Sequence, residues 1–448
     1  EEGRLSPAFD DVITHPATTA QAGKSLNGEN TARETYFLTE RYPFYGCAWY
    51  QRTVYIQEED VGRPVYLYFE RTRMTRVWVN GIFIGSNNSI CAPHRYDISG
   101  AVTGQEITVT VCVNNVDYPT KGGHMTSQDT QTNWNGILGK MELQVFAAVD
   151  VLSATTESDA HTGEIKVTLE LLNTWMMPEE REILVGGEYV FLPEEILPTS
   201  GTQTAPLYLT DHSHRQKITV QPGISRQTIV VGVSNVMCFS EFAPCFGQLH
   251  IRCVEKEGDV LRPVFDCAQE SARKAVEGKL MGAAHAKADA SALTVDAVFG
   301  FRTFAAGRHH FYINGIKTFL RGKHDGMIFP LTGAAPMDVE SWLRVMRTAK
   351  RYGINHYRFH TCCPPEAAFY AADLLGIYME PELPFWGTIA AFGEEGYNKE
   401  EQDYLVAEGF RLMEAFGSHP SFVMMSLGNE LWGSRERLGE IIEGFRAA

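Results

Sequence analysis

The chain has 448 residues, 44% of them hydrophobic and 21% charged, and at roughly 150 residues per core about three domains are expected. No run approaches the ~18–20 apolar residues of a spanning helix, so no membrane span is expected. With 39 Lys and Arg against 55 Asp and Glu the net charge is -16, which excludes phosphate neutralisation as the main task and nucleic acid as an expected partner.

The first part of the chain reads as antiparallel β. Residues 49–56, 65–69 and 77–79 are rich in aromatic and β-branched side chains, and Ile107, Val109, Val111 and Val113 alternate with Thr108, Thr110 and Cys112 at period two. Asn80-Gly81 is the dipeptide a tight hairpin turn prefers, since both central residues take positive φ. These strands predict a β-sandwich closing near Val145, its large aromatics Trp49, Trp78 and Tyr66 mostly filling the core. From about Ala148 a second β-region begins, with Ile165, Val167, Leu169 and Leu171 alternating against polar neighbours and later strands at 229–231 and 249–251. Its size and spacing suit an immunoglobulin-like sandwich. The small, polar stretch 283–292 reads as an exposed loop or edge before the next domain.

After Phe311 the period changes. Asn314-Gly315 marks a turn and 318–320 a strand; Trp342, Val345, Met346 and Ala349 then fall at helical spacing, in a helix started by Asp338 and stopped by Gly353. A strand over 355–360, a helix over 365–375, a strand over 377–380, a helix ending at Phe416 and a strand over 422–426 complete a β/α alternation.

The nine cysteines show no paired CxxC spacing, so neither a zinc site nor a complete disulfide framework is indicated. His309-His310 and His212-Ser213-His214 lack acidic or Cys partners and read as solvated turns. No metal and no other cofactor is expected.

The strongest chemical signal is the segment 418–430, an apolar strand ending in Gly428-Asn429-Glu430. In a (β/α) barrel the C-terminal strand ends carry catalysis, so a Glu there points into the site. Aromatic walls can raise its pKa enough to protonate a leaving oxygen. Asn429 stands beside it, in reach of a sugar hydroxyl. Spacing alone leaves open a Glu that only caps the following helix.

This segment resembles the acid/base signature of glycoside hydrolase family 2, the family of β-galactosidases, β-glucuronidases and β-mannosidases. Its Gly-Asn-Glu core is intact, while Ser418 and Met425 stand where the family usually has Asn and Trp. A second family signature resembles Asn355-His356-Tyr357-Arg358 through Asp373-Leu374-Leu375-Gly376-Ile377-Tyr378. There the family's usual His-Tyr-Pro falls on Thr361-Cys362-Cys363, and His360 stands one place earlier. Upstream, Gly46-Cys47-Ala48-Trp49-Tyr50-Gln51-Arg52, Val77-Trp78-Val79-Asn80-Gly81 and Tyr96-Asp97-Ile98 look like the family's N-terminal sugar-binding domain.

The resemblance implies a multidomain β plus α/β chain: a jelly-roll β-sandwich over 1–147, an immunoglobulin-like β-sandwich over 148–310, and the first half of a (β/α)8 TIM barrel over 311–448, with about four strands present. Glu430 is the implied acid/base and Asn429 a sugar contact. Arg358 would orient the nucleophilic carboxylate, with a structural ion pair as the alternative. Glu382 is either a substrate contact or a barrel salt bridge. His324 and Asp325, just past the first barrel strand, would face the non-reducing sugar beside His360, and Trp386 would stack on a pyranose; packing roles stay open for each. The long loop 124–134 is expected to reach the barrel mouth through Trp134.

A retaining glycosidase needs two carboxyls ~5–5.5 Å apart, and the resemblance puts the nucleophile at the seventh barrel strand, beyond Ala448. The chain is therefore expected to belong to a longer polypeptide. The expected function is a retaining, exo-acting hydrolase of a terminal β-linked galactoside, galacturonide or glucuronide, or an α-L-arabinopyranoside, on an oligo- or polysaccharide. The alternative is a non-catalytic carbohydrate-binding protein with a degenerate barrel. A periplasmic or extracellular setting is expected, with the cytoplasm as alternative, and a homo-oligomer is compatible with the sequence.

Overall fold

A computed structural model of the chain describes residues 11–26, 28–30, 41–127, 130, 132–192, 202–210, 212–254 and 294–447. The stretch 283–292, Cys267 and loop residues Gln128, Asp129 and Gln131 lie outside the described residues. Among the described residues, no helix is long and apolar enough to cross a membrane.

The alternating residues of the first region form two facing sheets. One runs in the order Ala17–Thr18, Gly136–Val145, Val65–Thr72, His94–Asp97; the other Cys47–Tyr55, Glu106–Asn114, Met74–Val79, Ile82–Asn87. Leu67, Phe69, Val77, Val79, Val111 and Val113 share the core between them. Asn80 and Gly81 both take positive φ (51° and 80°), as the hairpin turn requires. The aromatics divide differently from expectation. Trp49 lies on the outer face, 42% exposed, with Trp78 beneath it at 5.2 Å between ring centroids. Period two puts Trp49 and its neighbour Ala48 on opposite faces, and only Ala48 points to the core.

In the second sandwich Glu164–Asn173 lies between Gly223–Gly232 and Val149–Asp159. The facing sheet is built on Glu179–Phe191, which pairs with Gln203–Pro206, Arg215–Val220 and Phe246–Val254, the last carrying Val295–Phe299. Ile165, Val167, Leu169 and Leu171 are fully buried against Ile183, Val185, Leu249 and Ile251, so the alternation marks the core face.

Beyond residue 321 the pairing becomes parallel: Gly322–Asp325, His356–Phe359 and Tyr378–Pro381 lie side by side. The helices Val339–Arg351 and Glu366–Leu375 make the crossovers. Asp338 caps the first helix by accepting from Ser341 N–H, and Trp342, Met346 and Ala349 are buried on its inner face. The strand expected at 318–320 forms earlier, at Ile316–Thr318, because the Asn314-Gly315 turn folds it back on Phe311–Ile313. The expected strand at 422–426 follows Tyr378–Pro381 in parallel but bridges only at Phe422 and Ser426, since Val423 and Met424 N–H both donate to the Met379 carbonyl and the ladder slips. Ordered pairing resumes where Asn429–Gly433 joins Trp386–Ile389.

Two buried interlocks fix the first sandwich on the β/α region. Glu408, on the helix Lys399–Phe416, is fully buried and accepts from Ser89 Oγ and from the Ile90 and Cys91 N–H groups, each at 3.0 Å. Arg71 donates to the Cys91 and Cys363 carbonyls, both at 2.6 Å. Helix and strand ends that carry the candidate site are thereby held against the sandwich.

Candidate active site

Gly428-Asn429-Glu430 sits where the irregular run after Ser426 enters its parallel pairing with Trp386–Ile389. Gly428 has φ 129°, and a Cβ there would lie 2.3 Å from the Phe385 carbonyl oxygen, so only glycine passes. Asn429 N–H donates to that carbonyl at 3.0 Å. Glu430 follows with φ 45°, a left-handed conformation unusual for a non-glycine residue, and its side chain is exposed.

Asn429 is tied to the neighbouring strands. Arg358 Nη2 donates to Asn429 Oδ1 at 2.9 Å and its Nε donates to Glu382 Oε1 at 2.6 Å. Glu382 is fully buried and takes the Thr361 N–H on its other oxygen at 2.7 Å. Burial pushes the Glu382 carboxyl up, opposed by the Thr361 N–H and by Arg358. Both Glu382 oxygens are thus engaged inside the protein, which makes it the ion-pair anchor of the strand ends.

Three imidazoles meet at the same mouth. His360 is stacked on His124 at 4.6 Å and 12°, takes the edge of His324 at 4.7 Å, and meets Trp386 edge-on at 6.0 Å. Burial, then His124, His324 and Arg358, push His360 down to about 4. Burial and His324 also lower His124. His324 and Trp386 are exposed. Asp325 is turned inward, accepting from Lys323 Nζ and from Met327 N–H, while its carbonyl accepts the His360 N–H at 2.8 Å. Among the described residues no group of three or more His, Cys, Asp or Glu is placed to hold a metal.

The loop of the first sandwich does reach this mouth, but through its beginning. Gly122 pairs with Phe385, and Cβ atoms on Gly122 and Gly123 would fall 2.6 and 3.0 Å from the Trp386 oxygen and the Pro384 backbone, so two glycines permit the approach. His124 N–H then donates to Thr361 Oγ1 at 2.9 Å. Trp134 is elsewhere: it is 5% exposed, packs with Leu138 and Ala334, and lies under the Arg73 guanidinium at 4.3 Å. Arg73 Nε also donates to the Trp134 carbonyl, so this tryptophan fills a core. His124 opens the Gly-preceded loop that the sequence directs to the mouth, but the expectation falls on Trp134 at the loop's other end.

The same architecture recurs in solved proteins. A β-glucuronidase of Bacteroides uniformis superposes over 100% of this chain and 48% of its own, with a TM-score of 0.66 at 15% identity. A glycosyl hydrolase family 2 member from Bacteroides cellulosilyticus does so over 100% and 53%, with a TM-score of 0.67 at 17% identity. The chain shares the fold of these proteins over its whole described length. A β-galactosidase of Priestia megaterium is 22% identical over 419 residues, 90% of this chain and 36% of that protein. The chain thus spans about half the length of the solved family 2 proteins and about a third of this relative. No family model matches the sequence.

Proposed function

We propose that the chain carries the N-terminal part of a retaining, exo-acting β-glycosidase. In this reading residues 1–147 are a jelly roll, 148–310 an immunoglobulin-like sandwich, and 311–448 the opening half of a (β/α)8 barrel whose nucleophilic carboxylate lies beyond Ala448. The supporting observation is the placement of Asn429-Glu430: an exposed carboxyl just past the 422–426 path, at the start of the strand Asn429–Gly433, next to an amide fixed by Arg358.

Glu430 protonates the glycosidic oxygen as the nucleophile attacks the anomeric carbon, and then takes a proton from the water that hydrolyses the glycosyl-enzyme. Asn429 positions a hydroxyl of the terminal sugar and Trp386 offers its exposed face to the pyranose. The substrate is a β-linked galactoside, galacturonide or glucuronide, or the sterically equivalent α-L-arabinopyranoside. Glu430→Gln in the full-length enzyme should retain binding and lower turnover of an unactivated oligosaccharide by ~10²–10⁴-fold. Undiminished turnover would sink the assignment.

A further inference from the structure

His124 and His360 are an unusual pair: they come from strands and loops of different regions, their rings stack, and the Nδ1 atom of each is buried without a hydrogen-bond partner among the described residues. A buried ring nitrogen with no partner costs least as a bare lone pair, because a buried N–H or a positive charge would leave a donor or an ion unsatisfied. The unpaired Nδ1 atoms favour the tautomer with the proton on Nε2, while the His360 ring's contact with its own backbone acts in the opposite sense and is outweighed by burial. Neither Nε2 atom is a buried unpaired atom, and His324 and Trp386 stand against the His360 ring.

We propose that His124, contributed by the first sandwich, is a positioning residue that locks His360 as a neutral imidazole donating its Nε2–H into the mouth, so that the stacked pair reads an acceptor oxygen of a neutral sugar hydroxyl. The groups facing His360 agree with this. His124 lies on one face, His324 at the edge, and Arg358 on its own strand; each disfavours a second positive charge there. The nearby carboxylates are occupied, Asp325 by Lys323 and the Met327 N–H, Glu382 by Arg358 and the Thr361 N–H. Thr361 supports the pair from below, because its hydroxyl receives the His124 N–H and holds the backbone that aims the ring. The inference rests on the sugar-site reading for the identity of the ligand, but its protonation claim does not.

The test is an NMR titration of the chain with isotope-labelled histidine, His360 being assigned with His360→Gln. In the wild type His360 should remain a single Nε2–H tautomer down to about pH 4. His124→Ala, which removes both the cover and the neighbouring imidazole, should move its midpoint up toward the ordinary histidine value. His124→Phe, which keeps the stacked ring and its cover, should leave the midpoint low. A second readout is calorimetric affinity for methyl β-D-galactopyranoside, expected to fall ~10-fold in His124→Ala, where His360 is no longer held, and to stay near the wild-type value in His124→Phe. A His360 that titrates alike in wild type and His124→Ala, or that carries its proton on Nδ1, overturns the proposal. Should the titration shift as stated while Glu430→Gln keeps full turnover, the catalytic reading falls and this one stands; the opposite pattern removes this one alone.

Discussion

Arg358 joins Glu382 to Asn429: its Nε donates to the buried carboxylate at 2.6 Å and its Nη2 to the amide oxygen at 2.9 Å, so one planar fork sets the position of the residue preceding Glu430. Arg358→Ala leaves Glu382 buried with only the Thr361 N–H. The guanidinium is about one-third exposed (34%), so the loss should fall at or below the ~3–5 kcal/mol of a fully buried pair. Urea unfolding measures it. Arg358→Ala combined with Glu382→Gln should cost less than the sum of the two single changes.

Trp134 separates scaffold from site. Trp134→Ala removes a buried ring lying under Arg73 and should destabilise by about 3–5 kcal/mol, while kcat/KM of the full-length protein for short glycosides stays near the wild-type value. Thermal unfolding beside steady-state kinetics checks both halves; a raised KM with unchanged stability would return Trp134 to the substrate site.

His419 supplies a pH dependence away from the mouth. Burial opposes its charge, but Asp373 at 2.6 Å and Glu366 outweigh burial and raise it to about 9. A raised folded-state value means that its contribution is complete below the unfolded value of 6.5 and is lost as the pH climbs through about 9. A shift of that size corresponds to about 3 kcal/mol. Stability should therefore fall between neutral pH and about pH 9.5, and His419→Asn should flatten that part of the profile. A wild-type profile level across the window would contradict the ion pair.

The sequence was most legible where one local rule acted alone. Four alternating residues, Ile165 to Leu171, are all buried in the second sandwich, and Asp338 caps the helix it was expected to start. Gly428-Asn429-Glu430 stood out in the sequence as the end of an apolar strand, whereas in the structure the ladder slips over 422–426 and a strand begins at Asn429. Contacts across long sequence separations were not visible: the His124–His360 stack joins residues that no periodicity relates. Trp134 looked available because it ends a polar loop, but the buried Arg73 pulls its carbonyl inward at 2.8 Å and covers its ring. Glu382 and Asp325 share the strand ends with Arg358, yet their carboxylates turn inward to donors supplied by Thr361 and Met327.

The central claim is that Glu430 is the acid/base of a retaining glycosidase, and azide rescue of Glu430→Ala in the full-length protein tests it most directly. With an activated β-glycoside the variant should accumulate glycosyl-enzyme, added azide should restore turnover, and the product should be the β-glycosyl azide, since azide needs no general base and attacks from the face opposite the nucleophile. Unchanged hydrolysis by Glu430→Ala without azide, or an α-glycosyl azide as product, would contradict the account.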